Sequence, residues 1–252
     1  MERLKLARRD IEVERIAGDG PTLVLLHEGL GSLGLWRDIP QALAARTGCE
    51  VIAYSRYGNG YSEPLAAKRD PRYMHDEARA LPELLSHYGV IDPVLIGHSD
   101  GASIALIHAG TRKNVRALVL MAPHVFVEDV AISSIAATRN AYETTDLRER
   151  VARRHEDGDK TFYGWNDIWL DPAFRAWNIE EYLPAISCPV LLIQGRDDQY
   201  GTVVQLDAIE RGVKGQVERL VLDDCRHAPH RDQPEATLVA IEDFLSRARR
   251  GS

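Results

Sequence analysis

The chain has 252 residues, 44% of them hydrophobic and 27% charged, which fits one large domain or a domain carrying an insertion. Its 31 basic and 38 acidic residues leave a net charge of −7, a poor balance for holding nucleic acid or an anionic membrane surface. No apolar run reaches transmembrane length, and Met1-Glu2-Arg3-Leu4-Lys5 lacks the apolar segment of a signal peptide, so a cytoplasmic protein without a membrane partner is expected.

Leu4 to Ala7 and Ile11 to Ile16 read as an opening antiparallel strand pair. Leu23 to Leu26 is a continuous apolar run, as in a strand covered on both faces. Leu35, Ile39 and Leu43 recur at helical spacing, and Gly48 supplies a stop. Val51 to Tyr54 is the next strand. Residues 72–88 read as a helix with a break at Pro82. The strand Val94 to Ile96, the short apolar helix Ala102 to Ala109 and the strand Leu118 to Leu120 follow.

Between Pro123 and Pro189 the strand runs stop. This stretch holds three of the four Trp (Trp165, Trp169, Trp177) and three of the four Phe (Phe126, Phe162, Phe174). It reads as a helical cap over residues 124–187, inserted after the sixth strand. Its aromatics suit an apolar substrate pocket, or else pack the cap onto the body. Val190 to Ile193 and Leu220 to Leu222 complete eight strands, and residues 234–248 form a closing helix with Pro234 near its start. The alternation predicts an α/β fold, an eight-stranded and mainly parallel sheet flanked by helices, with residues 1–123 and 188–252 as its core domain. A TIM barrel also alternates, but the opening strand pair and the long interruption argue against it. Cys49, Cys188 and Cys225 are widely separated and read as reduced thiols in or near the core. The nine histidines show no His-Glu-x-x-His spacing and no Cys–His cluster, so no metal and no organic cofactor is expected.

Gly97-His98-Ser99-Asp100-Gly101 carries the chemistry. A Gly-x-Ser-x-Gly match alone arises by chance in roughly one chain in ten of this length. Here it follows one strand and precedes one helix, where a serine needs a very tight turn and two flanking positions without side chains. Such a turn lifts the hydroxyl to the carboxyl edge of the sheet and aims the Asp100 N–H at a reacting carbonyl. An ordinary serine helix cap is the plain alternative.

The elbow, the buried strand ending in His27 and the loop Ser55-Arg56-Tyr57-Gly58-Asn59-Gly60-Tyr61-Ser62 resemble the α/β-hydrolase superfamily over nearly the whole chain. Within it the chain is similar to capped esterase-type members near the MenH and meta-cleavage C–C hydrolase branch. The resemblance implies a serine nucleophile, then an acid, then a histidine in chain order. His227 in the loop Asp223 to Glu235 matches the base. Arg226 stands where the family more often has Gly, and His230 matches a histidine that supports the base from behind. After the seventh strand the family places its acid three residues past the glycine of Gln194-Gly195-Arg196-Asp197-Asp198. That selects Asp198 over Asp197, which reads as a turn residue.

The resemblance also implies two backbone N–H donors for the oxyanion. One is Asp100. The other lies in His27-Glu28-Gly29-Leu30, where Glu28 intrudes between His and Gly. Alignment on Gly29 selects Leu30, and alignment on His27 selects Gly29; Leu30 is preferred. Glu28 is expected to point away from the oxyanion or to be paired, with Arg37 or Arg56 as partners, or else to contact a polar group of the substrate. Glu28, His98, Phe126, Phe162, Trp165, Trp169, Trp177 and His230 are the pocket candidates. The expected activity is hydrolysis of a small or medium carboxylic ester by Ser99, His227 and Asp198. C–C hydrolysis or MenH-type lyase chemistry with the same residues is the alternative, and a non-catalytic binding protein on the same fold is a third. The expected partner is a small-molecule ester, and the protein itself a monomer or homodimer.

Overall fold

The computed structural model of the protein describes residues 2–250. Eight strands among these form one sheet: β1 Glu2–Leu6, β2 Arg9–Ile16, β3 Gly20–Leu26, β4 Cys49–Tyr54, β5 Val94–His98, β6 Ala117–Met121, β7 Val190–Gly195 and β8 Val217–Leu222. Their spatial order is β1-β2-β4-β3-β5-β6-β7-β8. β1 pairs antiparallel to β2 and β2 antiparallel to β4, while every other pairing is parallel. The first hairpin turns on Ala7 and Arg8, both at positive φ (49° and 68°), the hand that matches strand twist.

The helices are α1 Ile39–Thr47, α2 Tyr73–His87, α3 Asp100–Thr111, α4 Asp129–Thr144, α5 Leu147–Ala152, α6 Gly158–Leu170, α7 Val204–Gly212, α8 Pro229–Asp232 and α9 Pro234–Arg250. Successive strand residues face opposite layers. Leu23 and Leu25 pack with Leu43 of α1 and with Ile241 and Phe244 of α9. Val24 and Leu26 pack with Leu81 of α2, Ile104 of α3 and Leu206 of α7. Each such burial stabilises by about 1.5–3 kcal/mol, so a strand covered on both faces is apolar at every position. No helix among the described residues is long and apolar enough to cross a membrane.

Two local expectations are corrected. Leu35 belongs to a separate 3₁₀ turn, Leu33–Leu35, because Arg37 adopts a left-handed conformation (φ 53°) that ends it before α1 starts. Pro82 does not break α2. Its missing N–H would have bonded the Ala78 carbonyl, and His108 Nδ1 on α3 lies 3.4 Å from that oxygen instead. Gly48 does end α1, at φ 65°.

Between β6 and β7 the chain forms α4, α5, α6 and two 3₁₀ turns, Pro172–Ala176 and Glu180–Ala185. This segment is tied to the loop after β4. Glu156 N donates to the Gly60 carbonyl at 2.7 Å, Thr161 Oγ1 to the Gly58 carbonyl at 2.7 Å, and Gly60 N to His155 Nδ1 at 2.8 Å.

Candidate active site

The chain order of the sheet reverses between β3 and β5, and their carboxyl ends flank a crevice, the usual ligand position in open α/β sheets. Ser99 sits there between β5 and α3, at φ 52° and ψ −119°, a strained conformation for a residue with a side chain. Close packing holds it. A Cβ on Gly97 would lie 2.5 Å from Ala102 Cα, and one on Gly101 would lie 2.0 Å from the Leu26 carbonyl oxygen. The two glycines therefore let α3 approach the end of β3.

Ser99 Oγ lies 2.9 Å from His227 Nε2. His227 Nδ1 lies 2.9 Å from both carboxylate oxygens of Asp198. A carboxylate only accepts, so Nδ1 carries the proton and Nε2 presents its lone pair to the serine hydroxyl. Asp198 also accepts from Tyr200 N at 2.8 Å and from Gln194 Nε2 at 2.6 Å. Burial works to raise its pKa, but the His227 ring and the Tyr200 N–H hold it below the usual carboxylate value. Asp197 is exposed and donates its N–H to the Cys225 carbonyl. Gly195 clears the way for the histidine loop, since a Cβ there would lie 2.1 Å from the Arg226 carbonyl oxygen.

The loop after β3 is fixed by its carbonyls. The Glu28 carbonyl accepts from Gly31 N at 3.0 Å, His27 Nδ1 at 2.7 Å and Arg56 Nη2 at 2.9 Å. Asn59 Nδ2 donates to the Gly29 and Gly31 carbonyls at 2.9 and 3.1 Å. His155 hydrogen-bonds the Leu30 main chain, and burial lowers its pKa to about 4. All peptides here are trans, so the N–H and C=O of each point opposite ways. With the Glu28 and Gly29 carbonyls held by Arg56 and Asn59, the Gly29 and Leu30 N–H groups face the other side, and both residues line the pocket.

The expected partners of Glu28 are corrected. Its carboxylate lies 3.3 Å from His98 Nδ1. Arg37 is exposed, and Arg56, fully buried under the loop, spends its guanidinium on the Glu28 carbonyl and lies 3.7 Å from the Asp100 carboxylate. Asp100 accepts from Tyr73 OH at 2.7 Å, and Trp169 Nε1 donates to that hydroxyl at 3.1 Å. The Asp100 carboxylate is thus committed away from the serine while its residue opens α3.

A pocket of about 110 Å³ opens onto Ser99 and His227. Glu28, Gly29 and Leu30 form one wall, Trp165, Trp169, Ala131 and Ile135 another, and His124 and Tyr200 the rest. Of the other pocket candidates, Phe126 bridges to Asn178, Phe162 stacks on Tyr142 at 3.6 Å, and Trp177 stacks on Phe174 at 5.3 Å. These three pack the inserted segment and lie off the wall. His98 and His230 lie behind the site with ring centroids 4.8 Å apart, and His230 also packs on Trp36. His124 and Tyr200 were missed because each lies in a loop with no periodicity. The one available signal was their place just past β6 and just past Asp198. Burial holds His124 at about 4, a neutral ring.

The model of the alpha/beta hydrolase family matches residues 23–241. Protein phosphatase methylesterase 1 of Bos taurus is 29% identical over 149 residues, 52% of this chain and 37% of that protein. The chain thus spans little more than a third of that relative's length. A carboxylesterase structure from the thaumarchaeon Nitrososphaera gargenis superposes with a TM-score of 0.80 at 20% identity, covering 100% of both chains. The 2-hydroxy-6-oxo-6-phenylhexa-2,4-dienoate hydrolase of Rhodococcus sp. strain RHA1 superposes at 0.79 with 18% identity, covering 97% of each. At these identities the structural likeness speaks to the fold.

Proposed function

The chain belongs to the alpha/beta hydrolase family, and from that premise we propose that it hydrolyses carboxylic esters through a serine acyl-enzyme. The observation that carries the reading is the unbroken path Asp198–His227–Ser99, with 2.9 Å at each link. Ser99 Oγ attacks the ester carbonyl as His227 Nε2 takes its proton, and Asp198 stabilises the imidazolium. The oxyanion forms between the N–H groups of Asp100 and Leu30, with Gly29 as the alternative donor. His227 returns the proton to the leaving alcohol. Water, deprotonated by the same ring, adds to the acyl carbonyl and releases the acid and Ser99. The scheme uses no metal or organic cofactor.

Residues 124–187 serve as a cap in this reading, and Trp165 and Trp169 bring its weight onto the pocket. The space, about 110 Å³, is smaller than the ~150 Å³ cavity that takes a benzene ring, which favours a short acyl chain. The wall carries Glu28 and, among the described residues that line it, no Lys or Arg. A substrate bearing a carboxylate, such as a dienoate, would find no counter-charge there. That weighs against the C–C hydrolase and lyase readings, which use the same three residues.

A fluorophosphonate probe tests the reading: it should label Ser99 in the folded protein and spare Ser99→Ala. A p-nitrophenyl ester series should give highest kcat/KM at short, uncharged acyl chains. An unlabelled Ser99 would leave a binding protein on a hydrolase fold, and turnover confined to a dienoate would replace the ester by a C–C bond.

A further inference from the structure

The anomalous acid of the loop after β3 has its partner on the serine elbow, and that partner reaches the His227 loop. His98, the residue before Ser99, is 1% exposed. Its Nε2 lies 2.7 Å from the carbonyl oxygen of His227, and its Nδ1 lies 3.3 Å from Glu28 Oε2. A carbonyl only accepts, so Nε2 carries a proton. We propose that Glu28, half-buried in the pocket wall, and the buried His98 form a carboxylate–imidazolium pair that locks the oxyanion loop, the serine elbow and the His227 loop in one register. This rests on the serine-hydrolase reading and makes both residues positioning residues for that reaction.

Three observations support the charged form. First, the loop makes room for the carboxylate: a Cβ on Gly31 would fall 2.5 Å from Glu28 Oε2. The Glu-Gly-Leu-Gly spacing is therefore a built recess and not a loose insertion. Second, the charges facing the pair are arranged for it. His27 is held neutral, with its Nδ1 proton on the Glu28 carbonyl and its Nε2 accepting the Arg56 N–H at 2.9 Å. Burial and the His98 charge push His230 down, and burial does the same to His155. Asp198 adds a second negative charge near His98, while His227 and Arg56 are the remaining neighbours. Third, burial would depress the His98 ring, but the Glu28 hydrogen bond and charge outweigh it and raise the ring. Burial likewise works to raise the Glu28 carboxyl, and the His98 hydrogen bond and charge hold it well below the carboxylate range.

The pair converts a carboxylate beside an oxyanion site from a liability into a fixed dipole. Its negative end is committed to His98, and its positive end grips the backbone of the residue that carries the base.

The test uses the ¹⁵N-labelled full chain. His98 ring nitrogens should still report the imidazolium form at pH 7, where an ordinary imidazole, with a pKa of about 6.5, has mostly lost its proton. Glu28→Gln should bring His98 to its neutral form, lower kcat about 10- to 100-fold and leave KM within about threefold of wild type. Glu28→Asp should restore part of both. A neutral His98 in the wild-type protein at pH 7 overturns the pair, even if Glu28→Gln does not fold. So does a Glu28→Gln variant with unchanged kcat. Fluorophosphonate labelling of wild-type Ser99 separates the two levels: labelling with a neutral His98 refutes the pair alone, and no labelling refutes the hydrolase reading and the positioning role with it.

Discussion

The side-chain amide of Asn59 holds the Gly29 carbonyl at 2.9 Å, and through that bond the loop after β4 fixes which way the next N–H points. The same amide reaches the Gly31 carbonyl, and Arg69 secures its oxygen at 3.0 Å. Asn59→Ala should lower kcat about 10- to 100-fold with KM little changed, since a misplaced oxyanion donor costs transition-state stabilisation more than ground-state binding. Stability should fall by about 1–3 kcal/mol per stranded carbonyl. Steady-state kinetics and urea denaturation of the same variant check both, and a KM effect alone would be the wrong outcome.

Asp198 and Asp197 are adjacent in sequence and opposite in environment. Asp198→Asn should cost about 10⁴-fold in kcat, because His227 would lose the partner that fixes its tautomer. Asp197→Asn, at an exposed turn, should stay within a few-fold of wild type. Equal losses in the two variants would remove Asp198 from its assigned role. Ser99→Ala should lose roughly 10³- to 10⁶-fold.

Trp165 and Trp169 both line the pocket but carry different structural weight. Trp169 is 2% exposed and bonds Tyr73, which in turn bonds Asp100. Trp165 is the more open ring, and its Cδ1 would lie 2.1 Å from a Cβ placed on Gly29. Trp165→Ala should therefore move the optimum of an acyl series toward longer chains at modest cost in stability. Trp169→Ala should cost about 3–5 kcal/mol. An unchanged chain-length profile in Trp165→Ala would place the acyl group elsewhere.

Acid should destabilise the fold from about pH 6.5 downward through its buried neutral histidines. His124 and His155 are held near 4, against about 6.5 in an unfolded chain. Between these values the unfolded state binds the protons and the folded state does not, so stability rises with pH across that window. It is full above about pH 6.5 and lost as pH falls toward 4, by up to about 3 kcal/mol per ring. His98 is shifted the other way: its contribution is present below about pH 6.5 and lost as pH rises through its folded value. Urea midpoints at pH 7, 6, 5 and 4.5 should fall steadily, and a flat series would contradict the buried neutral rings.

The sheet was legible because strands covered on both faces must be apolar at every position, and Leu23 to Leu26 or Val190 to Ile193 have no other reading. Ser99 stood out from its strand–turn–helix setting, while Asp198 and His227 were selected by the resemblance to the α/β-hydrolase superfamily, which expects an acid and a histidine after later strands. Pairings that depend on side-chain reach were not legible. Glu28 was matched to arginines on charge, whereas Arg56 runs beneath the loop to its main chain and a histidine 70 residues away takes the carboxylate. Pro82 looked like a helix breaker because its relief comes from His108 on another helix. Among the aromatics of residues 124–187, composition gave no means to separate Trp165 from Phe162, since both are buried and only one borders open space.

The ties from His155, Glu156 and Thr161 to Gly58, Gly60 and the Leu30 main chain limit how modular this protein can be. The segment between β6 and β7 is part of the scaffold that shapes the loop after β3, so it is not an interchangeable accessory. Transplanting a relative's segment to change substrate range would also remove the struts of that loop. A workable graft has to carry the Gly58–Gly60 turn and the His155 position along with it, and retailoring selectivity by single changes at Trp165 leaves that scaffold intact.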